Sequence, residues 1–147
     1  MIIGIIGAME EEVAVLKEEM NVQEVVKAAS MDFYKGVLCG RDVVVVRSGV
    51  GKVNAAICAQ LLVDRFGVEI LINTGIAGSL DAQIDIGDIV ISTDSLHHDM
   101  DATLFGDPLG RCREWILWHS RQISGLWSWR CWRIKKRIRI SIRLREG

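Results

Sequence analysis

No two of the four cysteines, Cys39, Cys58, Cys112 and Cys131, form a C-x-x-C pair. A structural zinc site needs closely spaced Cys/His pairs, so that class is excluded. The scattered cysteines read as buried or free thiols of a reducing, cytoplasmic compartment. No stretch approaches the roughly 18 apolar residues that a membrane helix requires. The opening MIIGIIGAMEEE has only a short apolar run and no basic segment before it, unlike a secretory signal. Basic residues are scarce in most of the chain and acidic ones in the rest. Residues 1–110 hold seven Lys and Arg against seventeen Asp and Glu. Residues 111–147 hold eleven against two, together with all five Trp. The net charge of −1 is therefore a cancellation and says nothing about partners. Length and composition fit one soluble globular domain. The break in composition divides the chain into a domain at 1–110 and a basic, Trp-rich tail at 111–147.

Within residues 1–110, strands and helices alternate. Residues 2–6 are an apolar run closed by glycine and read as a buried strand. Met9, Val13, Leu16 and Met20 follow at helical spacing. Residues 31–39 and 42–48 read as two strands around Gly40-Arg41. The β-branched run 43–46 predicts burial on both faces. Residues 52–66 form an Ala- and Leu-rich helix that Gly67 ends. Residues 69–73 and 87–92 read as further strands. The alternation predicts an α/β domain with a largely parallel sheet. Ligands of such sheets bind at the carboxyl ends of the strands, which directs attention to the loops after Ile6, Ser48 and Asn73.

Each loop has two readings. Glu10, Glu11 and Glu12 open a helix, where acids favour the dipole and stay solvated. Successive helical positions face different ways, so one or two of the three can point back over the sheet edge as a general base for water. Ser48-Gly49-Val50-Gly51-Lys52-Val53-Asn54 satisfies neither the P-loop nor the G-x-G-x-x-G pattern. It is a tight turn or a cradle of free amides for an anionic or polyhydroxyl ligand. Asn73-Thr74-Gly75-Ile76-Ala77-Gly78-Ser79 is a tight turn or a backbone surface for a flat ligand. In His97-His98-Asp99-Met100-Asp101, adjacent extended residues point to opposite faces, which favours a polar loop or subunit contact over a metal site.

In this order and spacing the segments resemble one family. IGIIGAMEEEV at 3–13, RSGVGKVNAA at 47–56, INTGIAGSL at 72–80, IGDIVIS at 86–92 and HHDMDATLFG at 97–106 are similar to the N-terminal half of 5′-methylthioadenosine/S-adenosylhomocysteine nucleosidase. The purine nucleoside phosphorylases share that fold, and the GAMEEE opening favours the nucleosidase. The resemblance implies a three-layer α/β/α sandwich around a mixed sheet, here truncated, and a homodimer. It implies hydrolysis of the bond between adenine and the ribosyl moiety, with no metal, no organic cofactor, no nucleic acid and no membrane. It places the water-activating carboxylate on Glu12. Met9 and Val50 fall on pocket positions near ribose and water. Ile76, Ala77 and Gly78 fall on the turn beside the nucleoside, and Phe105 on a residue reaching the partner's 5′-alkylthio pocket.

The family also carries a Met-Glu pair that holds the ribose hydroxyls and a later Asp that protonates adenine N7. Here the only Met-Glu is Met9-Glu10, and the only acids after Asp107 are Glu114 and Glu146. This leaves room for an inactive nucleoside-binding fragment as the alternative. The tail reads either as a basic, Trp-rich arm for nucleic acid or membrane or as out-of-frame sequence. With ordinary codon choices, back-translating residues 114–123, EWILWHSRQI, and reading from the third base of the first codon gives Met-Asp-Ser-Leu-Ala-Phe-Lys-Ala-Asp, and the two Trp codons are forced. That peptide resembles what the family carries after its FG-containing loop. An out-of-frame tail is not selected to pack, and the truncated sheet is expected to leave an unpaired edge. Sequencing the gene across codons 107–116 tests this. A frame restored near Gly110 should continue into a Met-Glu pair and a downstream Asp, and an early stop would refute the frameshift.

Overall fold

The structure, a computed structural model, describes residues 1–91 and 97–110, together with the backbone of one strand at 139–144. Strand β1 (Ile3–Gly7) leads into helix α1 (Glu10–Glu19). Strands β2 (Asn21–Ala28), β3 (Met31–Leu38) and β4 (Arg41–Arg47) follow, then helix α2 (Lys52–Phe66) and strand β5 (Ile70–Gly75). A 3-10 turn at Thr103–Phe105 and strand β6 (Arg139–Leu144) complete the described elements. The sheet order is β2-β3-β4-β1-β5-β6. β1 is parallel to β4 on one side and to β5 on the other. The β2–β3, β3–β4 and β5–β6 pairings are antiparallel. The alternation of elements suggested a largely parallel sheet. The mixed sheet forms instead because two hairpins link β2, β3 and β4, and a hairpin can only join antiparallel strands.

Pleating sorts the central strands into two cores. Ile3, Ile5, Val43, Val45, Ile70 and Ile72 face α1, where they meet Val13, Leu16 and Met20. Ile6, Val44, Val46 and Phe33 face α2, where they meet Cys58 and Leu62. All four residues from Val43 to Val46 are buried, as their β-branched run predicts. One helix on each face makes the three-layer sandwich. In the α2 core, burial pushes the Cys58 thiol up to about 12, so it stays protonated and inert at neutral pH. Cys39 is exposed.

Three departures from the sequence reading have physical causes. β2 gave no clear signal because six of its eight residues, 21–25 and 27, are exposed and its valines do not alternate. Its hairpin turns on Ala29 and Ser30, both at positive φ (47° and 61°), a conformation that neither residue type advertises. Residues 87–91, expected as most of a strand, form no strand, and only Ile91 makes a bridge. An apolar run becomes a strand only with a ladder partner, and the outer edge of β5 is already paired with β6. The unpaired edge expected of the truncated sheet is therefore carried by β6, the outermost described strand on that side, and not by β5. Of the tail, only the backbone of β6 is described, and residues 111–138 and 145–147 lie outside the described residues.

Leu62 is fully buried between α2 and the sheet, whereas Val25 lies on the exposed β2 edge. Leu62→Ala should cost about 2–5 kcal/mol, read as a lower denaturant midpoint at unchanged slope. Val25→Ala should cost about 1 kcal/mol or less.

Candidate active site at the strand ends

Adjacent parallel strands β4, β1 and β5 all end on the same side of the sheet. The chain leaves β1 for α1 on one face and leaves β4 for α2 on the other. Neighbouring strands whose connections part in this way open a crevice beyond their carboxyl ends. Ser48 closes its floor. Its N–H donates to Gly7 O at 2.9 Å, and its buried Oγ–H has Gly49 O at 2.9 Å and Gly7 O at 3.3 Å as acceptors. Asn54 Nδ2 donates to Val50 O at 2.9 Å and fixes the turn between β4 and α2. Gly49 and Gly51 in that turn have φ of 80° and 109°, which only glycine adopts readily. The Asn at position 54 that breaks the dinucleotide pattern is thus the side chain that shapes this loop.

The three N-terminal carboxylates of α1 part company. Glu10 turns along the helix to Lys17 at 2.8 Å and to Arg47 at 3.6 Å. Glu11 is exposed. Glu12, half-buried, reaches over the strand ends. Its Oε2 accepts from the N–H groups of Ala8 at 2.7 Å and Met9 at 3.0 Å. Its Oε1 accepts from Ile76 N–H at 3.0 Å. The Met9 bond is the carboxylate half of a capping box, here bent to serve the crevice as well as the helix. Two glycines make room for it. A Cβ on Gly75 would lie 2.6 Å from Glu12 Oε1, and one on Gly7 would lie 2.6 Å from Val13 Cγ1.

Met9, Glu12 and Ile76 therefore meet directly through Glu12. Ala77 and Gly78 continue from Ile76 along an open depression shared with Gly75, Ser79 and Leu80. Val50 stands at the end of β4 with its side chain exposed. Phe105 is not among this group. It lies on the separate 3-10 turn and is 80 % exposed. The segment carrying it is tied to the crevice by an ion pair between Asp99 and Lys52, the first residue of α2. Asp101 is engaged by the Thr103 hydroxyl at 2.6 Å and backbone N–H at 3.0 Å. Both carboxylates of the His97–Asp101 motif thus have local partners. Among the described residues, no three His, Cys, Asp or Glu side chains are grouped to hold a metal.

Sequence reasoning missed Ser48 and Thr74 as individual residues. Thr74 is buried on β5, and its Oγ1 has no hydrogen-bond partner among the described residues. Both stood inside quoted motifs. The signal for each was a polar residue at the end of an apolar strand.

Residues 2–126 match the Phosphorylase superfamily, and the chain belongs to it. Within that family the similarity is to 5′-methylthioadenosine/S-adenosylhomocysteine nucleosidases, as the motifs suggested. The chain is 50 % identical to the one from Staphylococcus haemolyticus over 109 residues, which are 74 % of this chain and 48 % of that protein. The Colwellia psychrerythraea nucleosidase, solved with adenine, superposes with a TM-score of 0.74 at 45 % identity, covering 78 % of this chain and 47 % of its own. The Neisseria meningitidis nucleosidase, in complex with methylthio-immucillin-A, gives 0.78 at 35 % identity, covering 83 % and 53 %. The chain spans about half the length of the relatives it matches.

The hydrogen bond from Lys52 is the main influence holding the Asp99 carboxyl below its usual range. A depressed carboxyl favours the folded arrangement above its unfolded pKa and loses that contribution as pH falls through its folded value. Lys52→Met should return the Asp99 titration, followed by carboxyl-carbon NMR, toward the ordinary range. No change would mean the ion pair does not form in solution.

Proposed function

We propose that this chain carries the water-activating half of a nucleosidase. The reaction is hydrolysis of the N-glycosidic bond of 5′-methylthioadenosine and S-adenosylhomocysteine, releasing adenine and serving methionine salvage. The observation that carries this reading is the position of Glu12, whose carboxylate bridges the ends of β1 and β5. A carboxylate has about four acceptor sites, and three here take backbone N–H groups. The acceptor site left is on Oε1, where a water can be held and its proton accepted. Glycoside cleavage through an oxocarbenium-like transition state needs such a base on one side of the sugar and an acid at the leaving group. Met9 and Val50 would border ribose and water. Ile76, Ala77 and Gly78 would lie against the nucleoside. Phe105, exposed and on a separate turn, suits a residue that enters the pocket of a second subunit in a cytoplasmic homodimer.

A specific observation favours a second reading for the 147-residue chain. Only Glu114 and Glu146 follow Asp107, so the matched motifs supply no Met-Glu ribose clamp and no acid for adenine N7. Losing a general acid alone costs about 10²–10⁴-fold. Residues 1–110 would then be a nucleoside-binding fragment and residues 111–147 an out-of-frame tail. Adenine release from methylthioadenosine by the purified chain separates the two readings. Turnover that requires phosphate would instead indicate a phosphorylase. In a frame-restored enzyme, Glu12→Gln should lower kcat by about 10²-fold or more, and Glu11→Gln by only a few-fold. Near-normal turnover of Glu12→Gln would refute the assigned base.

A further inference from the structure

We propose that Glu12 is also a latch on the turn from Gly75 to Ser79, closed by the carboxylate and released when that carboxylate is neutralised. Its acceptors are divided between two segments of the chain. Oε2 is anchored to its own helix start through Ala8 and Met9, while Oε1 alone reaches across to Ile76, 64 residues away in sequence. Ile76 N–H is thus the link by which α1 holds the turn. The turn has little else to hold it, since residues 76–83 are exposed. Its internal bonds join Ser79 to Asp81 and Asp81 to Gln83, beyond the stretch the latch secures. Gly75 is the other half of the device. Glu12 Oε1 occupies the space its Cβ would fill, at 2.6 Å.

Three N–H donors converging on one side chain need an acceptor at both ends. An amide offers one oxygen, and its NH₂ end would face a donor. A protonated carboxyl likewise replaces one acceptor site with an O–H and loses the charge that strengthens the rest. Among the described residues, no neighbouring cation substitutes for that charge. β1 and β5 carry no ionisable side chain, and the Arg47 of β4 faces Glu10. Lys17 is also drawn to Glu10 and lies over Tyr34 of β3.

The second half of the inference rests on the proposed hydrolysis. There the water O–H bond breaks, its proton goes to the open site on Oε1, and its oxygen bonds the anomeric carbon. The electron pair of the broken carbon–nitrogen bond leaves with the purine. The atom that receives the proton is the one holding Ile76, so water activation loosens the turn beside the departing base. Chemistry and opening of the pocket are then one event.

The latch is tested on the 147-residue chain without nucleoside or turnover, so its failure is separate from failure of the hydrolase reading. Amide exchange at Ile76 should speed up about tenfold or more in Glu12→Gln and in Gly75→Ala, the loss expected for one charge-assisted hydrogen bond. Amides of Val43 to Val46 should keep their protection. In the unaltered chain, a coupling across the hydrogen bond should join the Ile76 nitrogen to the Glu12 carboxyl carbon. Unchanged Ile76 exchange in both variants, or no coupling where the β1–β4 ladder shows its own, overturns the proposal. If a variant loses protection throughout the core, the coupling in the unaltered chain decides the matter alone.

Discussion

The arrangement at the strand ends depends on how closely α1 lies against β1. β1 is the middle strand of the parallel trio and is buried along all five residues, so nothing between it and its helices can be bulky. On the α2 side, a Cβ on Gly4 would meet Val68, Leu71 and Leu62 at 2.9–3.1 Å. On the α1 side, Gly7 allows Val13 to seat where any side chain would push it off. Val13 is fully buried, and its neighbour Glu12 is carried with it over the end of the sheet. The crevice is therefore set by hydrophobic packing below it, and the carboxylate's position follows from a contact one residue away.

The carboxylates of this acidic half are handled in different ways. Glu10 is paired to cations, Asp99 to Lys52, and Asp101 to a hydroxyl and an amide. Glu12 receives only backbone dipoles among the described residues. Cationic partners tie a carboxylate down as a structural charge, and many exposed pairs contribute little to stability. Backbone donors fix position while leaving a face open. That difference in partner sets Glu12 apart from Glu10 and Glu11, which share its residue type and its helix.

Much of this was legible in the chain because local rules wrote it. The glycine-rich turns, the β-branched run at 43–46 and the helix end at Gly67 are decided within a few residues. Even the division among the three glutamates followed from helical rotation. Pairings between distant segments were not legible. β2 and its Ala29–Ser30 turn owe their form to β3, which brings the backbone of Asn21 so near Gly36 that a Cβ would lie 2.1 Å from its carbonyl oxygen. The Lys52–Asp99 tie spans 47 residues and leaves no periodic mark. Residues 87–91 show the converse, since GDIVI has the composition of a strand but the outer edge of β5 is taken by β6.

The strand that took that edge has a wider meaning. β6 runs antiparallel to β5 with Ile140, Ile142 and Leu144 in register with Thr74, Ile72 and Ile70, and Arg139, Ser141 and Arg143 in register with Gly75, Asn73 and Leu71. A sheet edge reads its neighbour mainly through the backbone and asks of the side chains only that they alternate. A segment in which apolar Ile and Leu alternate with polar Arg and Ser meets that demand, whatever its ancestry. The border of a sheet is thus the place where a fold is least selective about sequence. New or accidental polypeptide can be grafted there, and an old architecture can acquire a new margin without redesigning its centre.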